Sequence, residues 1–177
     1  MNAISRPVLN LSATPFEAML ADIALAANAP LATRHRRVAE AITPFLGNRD
    51  LLAGRDCPCN PQRYCRHLLH NNPVTGYSVI AIVWTPGQMS PVHAHRTWCA
   101  FGVHRGWLAE TYFSRDGQTV LPHACTSRAP GTTGHAAADP NEVHRLANLG
   151  TEDAISIHVY GVAFDDFGIG VNEVYAA

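Results

Sequence analysis

Thr14-Pro15-Phe16-Glu17 opens the first readable pattern: a threonine able to cap, a proline at the first helical position, and a glutamate that closes a capping box. Phe16, Met19, Leu20, Ile23 and Ala27 then recur at helical spacing, which predicts an amphipathic helix to about residue 28. A second helix is predicted over residues 33–45, where Val38 and Ile42 lie one turn apart and Pro44 and Gly47 end the pattern. From Tyr64 the period changes. Short β-rich runs, RYCRHLL, YSVIAIVW, WCAFGV, WLAETYF, HRLANL and AISIHVYGV, are separated by Gly, Pro, Asn and Asp. Strands in succession without helices between them predict an antiparallel sandwich or barrel. The expectation is a mainly β chain forming one structural domain, with a helical layer over residues 1–50 packed on a barrel over residues 51–177.

Composition narrows the partners. Lys+Arg 13 against Asp+Glu 14 gives a net charge of -1, which leaves no basic footprint for nucleic acid or an anionic membrane. No run approaches the roughly 20 apolar residues of a membrane span, and MNAISRPVLNLSATPF lacks the basic-then-apolar order of a secretion signal. Five cysteines, crowded at Cys57, Cys59 and Cys65 and isolated at Cys99 and Cys125, make a poor disulfide framework and fit a reducing compartment. The expectation is a soluble cytoplasmic protein acting on a small molecule, with no nucleic-acid or membrane partner and a monomer as the default.

Ten histidines is a high number for this length, and a few have informative spacing. In His93-Ala94-His95, alternate strand positions point to one face, so both imidazoles can serve one ion. Gly87, His93, His95, Cys99 and Gly106 have the spacing of the first cupin motif, with Cys99 where glutamate usually stands. Residues 141–148 resemble the second motif: His144 is followed four residues later by Asn148, and Asn141, a residue tolerant of left-handed turns, replaces the usual glycine. The resemblance implies a cupin (double-stranded β-helix) barrel in which His93, His95 and His144 hold a metal facially, leaving positions open for substrate and oxygen.

Ser156-Ile157-His158-Val159-Tyr160 resembles the Ser-x-His-x-Tyr strand of the thiol dioxygenases, the family of cysteine dioxygenase and 3-mercaptopropionate dioxygenase. Period two puts the three polar side chains on one face, where they must satisfy one another. Tyr64-Cys65-Arg66 is similar to the Tyr-x-Arg of cysteine dioxygenases, whose arginine grips the substrate carboxylate with a planar fork. Cys99 lies near the place of the cysteine that animal enzymes join to the active-site tyrosine, with the gap from His95 one residue shorter. A Cys99–Tyr160 thioether and a small buried thiol are both open. The resemblance, over residues 60 to 165, implies an Fe(2+) enzyme that converts a small carboxylate-bearing thiol and O2 to the sulfinate. In it Tyr64 and Arg66 bind substrate, and Tyr160, oriented by His158 and Ser156, donates to the substrate or oxygen.

Two alternatives stand beside that reading: a metal cupin of another class, such as an isomerase or carbon-cleaving dioxygenase, and a non-catalytic small-molecule-binding cupin. Cys99 in the glutamate position argues against the first. Cys57 and Cys59 with Cys65 and His67 have the residue types for zinc but the spacing of no common structural site. Trp98, Trp107, Phe101 and Tyr112 are expected in barrel packing, and His35, His70, His104, His123 and His135 on the surface or in loops.

Overall fold

The computed structural model describes residues 13–117 and 119–176; the first twelve residues of the expected helical layer lie outside them. Helix α1 (Pro15–Ala26) starts at the predicted capping box, in which the Glu17 N–H donates to Thr14 Oγ1 at 3.2 Å and the Thr14 N–H donates to the Glu17 carboxylate at 2.8 Å. Helix α2 (Leu31–Ile42) begins immediately after Pro30, slightly earlier than the periodicity predicts. It gives way at Thr43–Phe45 to a single 3-10 turn, because Pro44 has no N–H for the helical ladder.

Ten strands follow among the described residues: β1 (Cys65–Asn72), β2 (Tyr77–Trp84), β3 (Val92–His95), β4 (Cys99–Arg105), β5 (Leu108–Asp116), β6 (Thr119–Arg128), β7 (Thr133–Ala136), β8 (Val143–Ala147), β9 (Ala154–Tyr160) and β10 (Asn172–Tyr175). They form two five-stranded sheets, ordered β1-β2-β9-β4-β7 and β10-β3-β8-β5-β6, every named pairing antiparallel. This is the cupin barrel. Strands β6, β7 and β10 are not among the predicted runs; β6 is largely exposed and carries Pro122, so it lacks a readable alternation.

Alternation along β2 and β9 explains why YSVIAIVW is buried at every position. Val79, Ala81, Val83, Ile155, Ile157 and Val159 pack outward in one apolar cluster with Phe16, Met19 and Ile23 of α1 and Val38 and Ile42 of α2. Ile80, Ile82, Trp84, Ala154 and Tyr160 belong to a second cluster, inside the barrel, with Phe101 and Leu146. The helices therefore roof one sheet, and the opposite face of that sheet is free to carry the polar residues of a site.

The motif glycines behave as their turns require. Gly106, between β4 and β5, has φ +70, and a Cβ there would meet Ala154 Cα and the Asp153 carbonyl at 2.8 Å. Asn141 departs from expectation, since no described non-glycine residue has positive φ. Its turn is made instead by Asp139, whose carboxylate accepts the Asn141 N–H at 2.8 Å. Trp98 and Phe101 are buried as expected, but Trp107, beside the Gly106 turn, is 57% exposed, and Tyr112 is only partly buried. His104 is likewise not a surface residue: it is buried, and its Nδ1 accepts the Gly47 N–H at 3.2 Å. His35 of α2 and His135 of β7 are ring neighbours, 5.0 Å between centroids. Among the described residues no helix is long and apolar enough to cross a membrane.

Candidate metal centre

His93 and His144 are register partners across the β3–β8 pair, and His95 stands two residues along the same face of β3. The three form the one group of potential metal ligands among the described residues, with a ligand atom from each lying within 4.8 Å of the others. Each ring is oriented from behind. Nδ1 of His93 donates to the Pro91 carbonyl at 2.9 Å, Nδ1 of His95 to Asn172 Oδ1 at 3.0 Å, and Nδ1 of His144 to Glu110 Oε1 at 2.8 Å. All three partners are acceptors, so the ring protons sit on Nδ1 and the bare Nε2 lone pairs are left to point inward.

That arrangement tests whether a metal fits. Nε2 of His95 and Nε2 of His144 are 3.0 Å apart, and in this tautomeric state neither has a proton to share. Two lone pairs at that distance repel unless a cation lies between them. Two nitrogens each about 2.1 Å from one ion, at nearly a right angle, stand about 3.0 Å apart. Burial, reinforced by the neighbouring rings, holds His93 down to about 3 and His95 well below its ordinary value, so protons do not compete for the nitrogens of those two rings at neutral pH. The donor set fits a divalent transition metal.

Glu110, on β5, is a member of the site that the sequence reading missed. It is 3% exposed; Arg128 Nε and the Tyr112 hydroxyl both donate to its Oε2 at 2.8 Å. Burial works to raise its carboxyl pKa, but the hydrogen bond from His144, the Arg128 guanidinium and the Tyr112 hydroxyl together hold it below the ordinary value. The available signal was an acid inside the apolar run WLAETYF, since a charge on a barrel-facing strand position has to be paired. Asn172 had no such signal, lying beyond the last predicted strand.

Ser156, His158 and Tyr160 line the inner face of β9, as the alternation predicts, and a residue not singled out in the sequence fixes their polarity. Trp84 Nε1–H donates to Ser156 Oγ at 2.9 Å; Ser156 Oγ is 2.8 Å from His158 Nε2, and His158 Nδ1 is 3.3 Å from the Tyr160 hydroxyl. Indole can only donate, and among the described residues His158 Nε2 is the one remaining partner of Ser156 Oγ, so the Ser156 proton goes to His158 Nε2. The His158 proton then sits on Nδ1 and is given to the Tyr160 oxygen, which leaves the Tyr160 O–H free for the cavity. Burial and the nearby Arg66 charge hold His158 down to about 3, and burial pushes Tyr160 well above its ordinary value, so the relay is neutral throughout.

One chamber brings together the three histidines, Tyr160, Cys99, Tyr64 and Arg66, with free space of about 20 Å³, room for a single water. It shares Tyr64, Arg66, Tyr160 and Asn172 with an adjoining pocket of about 330 Å³. Arg66 is exposed at this rim and donates to the Tyr64 hydroxyl at 3.1 Å, while the Tyr64 ring stacks on Trp84 at 4.6 Å. Cys99 is the register partner of Tyr160 across β4 and β9, buried, its thiol pKa pushed up by burial and by the Glu110 charge. Cys57, Cys59, Cys65 and His67 do not gather into a ligand group among the described residues; the His67 ring instead bonds the Pro58 carbonyl at 2.9 Å.

Comparison with known proteins gives a shared fold and a family. The chain superposes on TT1209 from Thermus thermophilus with a TM-score of 0.50 at 18% identity, covering 66% of this chain and 98% of that one. Looser matches are a Klebsiella pneumoniae protein with a double-stranded β-helix domain (TM-score 0.45, 19% identity, 68% and 90% covered) and an RmlC-like cupin from Desulfovibrio desulfuricans (0.41, 21%, 62% and 92%). The model of the family described as cysteine dioxygenase type I matches residues 56–168, a span that holds every residue of the chamber named above except Asn172. By that match over more than half its length, the chain belongs to the cysteine dioxygenase type I family.

Proposed function

We propose that this protein is an iron(II)-dependent thiol dioxygenase that converts a small carboxylate-bearing thiol and O2 to the sulfinate. The observation that carries the reading is the convergence of three imidazoles, with no carboxylate in the ligand group among the described residues, on a chamber that also holds a hydroxyl donor and an arginine at its rim. His93, His95 and His144 would hold the iron, whose contribution when bound is to stabilise the substrate as thiolate and to activate dioxygen beside it. Three uncharged ligands leave the ion its full double charge, which suits an anionic sulfur.

The protein's own groups do the rest. Arg66, steadied by Tyr64, pairs with the substrate carboxylate at the rim and so aims the sulfur end inward. The free O–H of Tyr160 donates to charge developing on the reacting sulfur or oxygen. Its direction is set by the chain from Trp84 through Ser156 and His158. Phe101 stacks on His158 at 5.3 Å, and Ile82 and Leu146 complete an apolar wall that keeps water from the reacting atoms. Both oxygen atoms end on sulfur, so a thiolate becomes a sulfinate with no further reductant. Five free cysteines and an oxidisable metal suit a reducing compartment, and we assign the activity to the cytoplasm.

The test is oxygen uptake by iron-loaded protein with cysteine, 3-mercaptopropionate and mercaptosuccinate, alongside mass spectrometry of the products. One O2 consumed per sulfinate with at least one of these thiols is expected. His144→Ala should remain folded and lose both iron and uptake. Iron-loaded protein that consumes no oxygen with any of the three overturns the assignment.

A further inference from the structure

The three ligands are not equivalent. His93 and His95 donate from Nδ1 to a neutral carbonyl and a neutral amide, whereas His144 donates to a carboxylate. A hydrogen bond to an ionised acceptor is about twice as strong as a neutral one and draws the proton toward the acceptor, which makes the ring a more electron-rich ligand. We propose that Glu110 is a positioning residue that feeds negative charge to the metal through His144, and that Arg128 sets how much of that charge arrives.

The division of the carboxylate supports this. Oε1 faces His144, while Oε2 is taken by Arg128 and the Tyr112 hydroxyl. Arg128 is itself fixed, donating to the Thr133 carbonyl at 2.8 Å. A pair serving only to tie β5 to β6 has no need to turn one oxygen onto a ligand ring. The first cupin motif here carries Cys99 where a glutamate ligand usually stands, so among the described residues the ligand group contains no carboxylate. Glu110 stands one imidazole further out and restores part of that charge without occupying a coordination position. The consequence is a site that keeps its open positions and still favours the oxidised state of the metal more than three plain imidazoles do.

This inference rests on the metal-centre reading above, and its test keeps the two apart by measuring metal binding and potential instead of turnover. Iron(II) affinity would be measured by chelator competition with the apo protein, and the ferric/ferrous midpoint by a mediated titration followed by electron paramagnetic resonance. Glu110→Gln, which keeps the shape and an oxygen acceptor but not the charge, should weaken iron(II) binding about 10- to 100-fold and raise the midpoint. Arg128→Gln should move the midpoint the opposite way, because it frees the carboxylate charge to act on His144. A strut between strands would move neither the midpoint nor its sign in this paired manner. Should Glu110→Gln not fold, the double variant Glu110→Gln/Arg128→Gln, which leaves no buried charge unpaired, carries the same affinity test. Wild-type affinity and midpoint in the Glu110 variant, or shifts of the same sign in both single variants, overturn the proposal. Wild-type protein that binds no iron overturns the metal-centre reading itself, and this proposal with it.

Discussion

Replacing Arg66 tests the substrate class directly. Its guanidinium sits on the rim shared by the chamber and the larger pocket, already oriented by its bond to the Tyr64 hydroxyl. A two-pronged, charge-assisted contact to a carboxylate contributes roughly 1.5 to 3 kcal/mol, or about 10- to 150-fold in binding. Arg66 is exposed, so water and salt screen it, and the lower end, about 10-fold, is the figure to expect. The assay is the ratio of kcat/KM for 3-mercaptopropionate to that for cysteamine, which has a thiol but no carboxylate. Arg66→Ala should lower the ratio by about 10-fold in dilute buffer and by less at high salt. Arg66→Lys should recover part of it, since an ammonium keeps the charge but not the fork. Tyr64→Phe should move the ratio the same way by a smaller amount, because the guanidinium loses only its orienting acceptor. A ratio that stays put in Arg66→Ala refutes the reasoning and sends the search for the carboxylate partner elsewhere.

Tyr160→Phe should leave iron content unchanged and slow sulfinate formation by about 10-fold or more in single-turnover measurements; an unaltered rate removes the hydroxyl from the mechanism. Gly106→Ala should lose more stability in urea unfolding than Gly87→Ala. Both incur the left-handed penalty of about 1–2 kcal/mol, but a Cβ at Gly106 also meets backbone at 2.8 Å, whereas Gly87 has nothing within 4 Å. Equal losses would mean that the chain around Ala154 yields freely. If Cys99 and Tyr160 couple oxidatively during turnover, with dioxygen as oxidant, the intact mass falls by two hydrogens in wild type and not in Cys99→Ala; a constant mass leaves Cys99 as packing.

What the sequence disclosed, it disclosed through local rules. The capping box at Thr14, the spacing of Val38 and Ile42, and the two-residue step from His93 to His95 are decided by neighbours along the chain, and the structure follows them. The inward set Ser156, His158 and Tyr160 is the same rule applied to β9. The failures involve partners distant in sequence. Glu110, Asn172 and Trp84 matter because of what lies opposite them in the barrel, and no periodicity encodes that. Strands β6, β7 and β10 are strands by pairing, since each bonds a neighbour whose own pattern is clear. Asn141 shows how a motif position can be refilled, as the job of a turn glycine passes to the side chain of Asp139.

The bond from His95 to Asn172 spans 77 residues and exists only when β10 has paired with β3. The orientation of one candidate ligand is therefore entrusted to the far end of the chain: any change that unpairs β10 from β3 takes away the acceptor of the His95 Nδ1 proton while leaving all three histidines in the sequence.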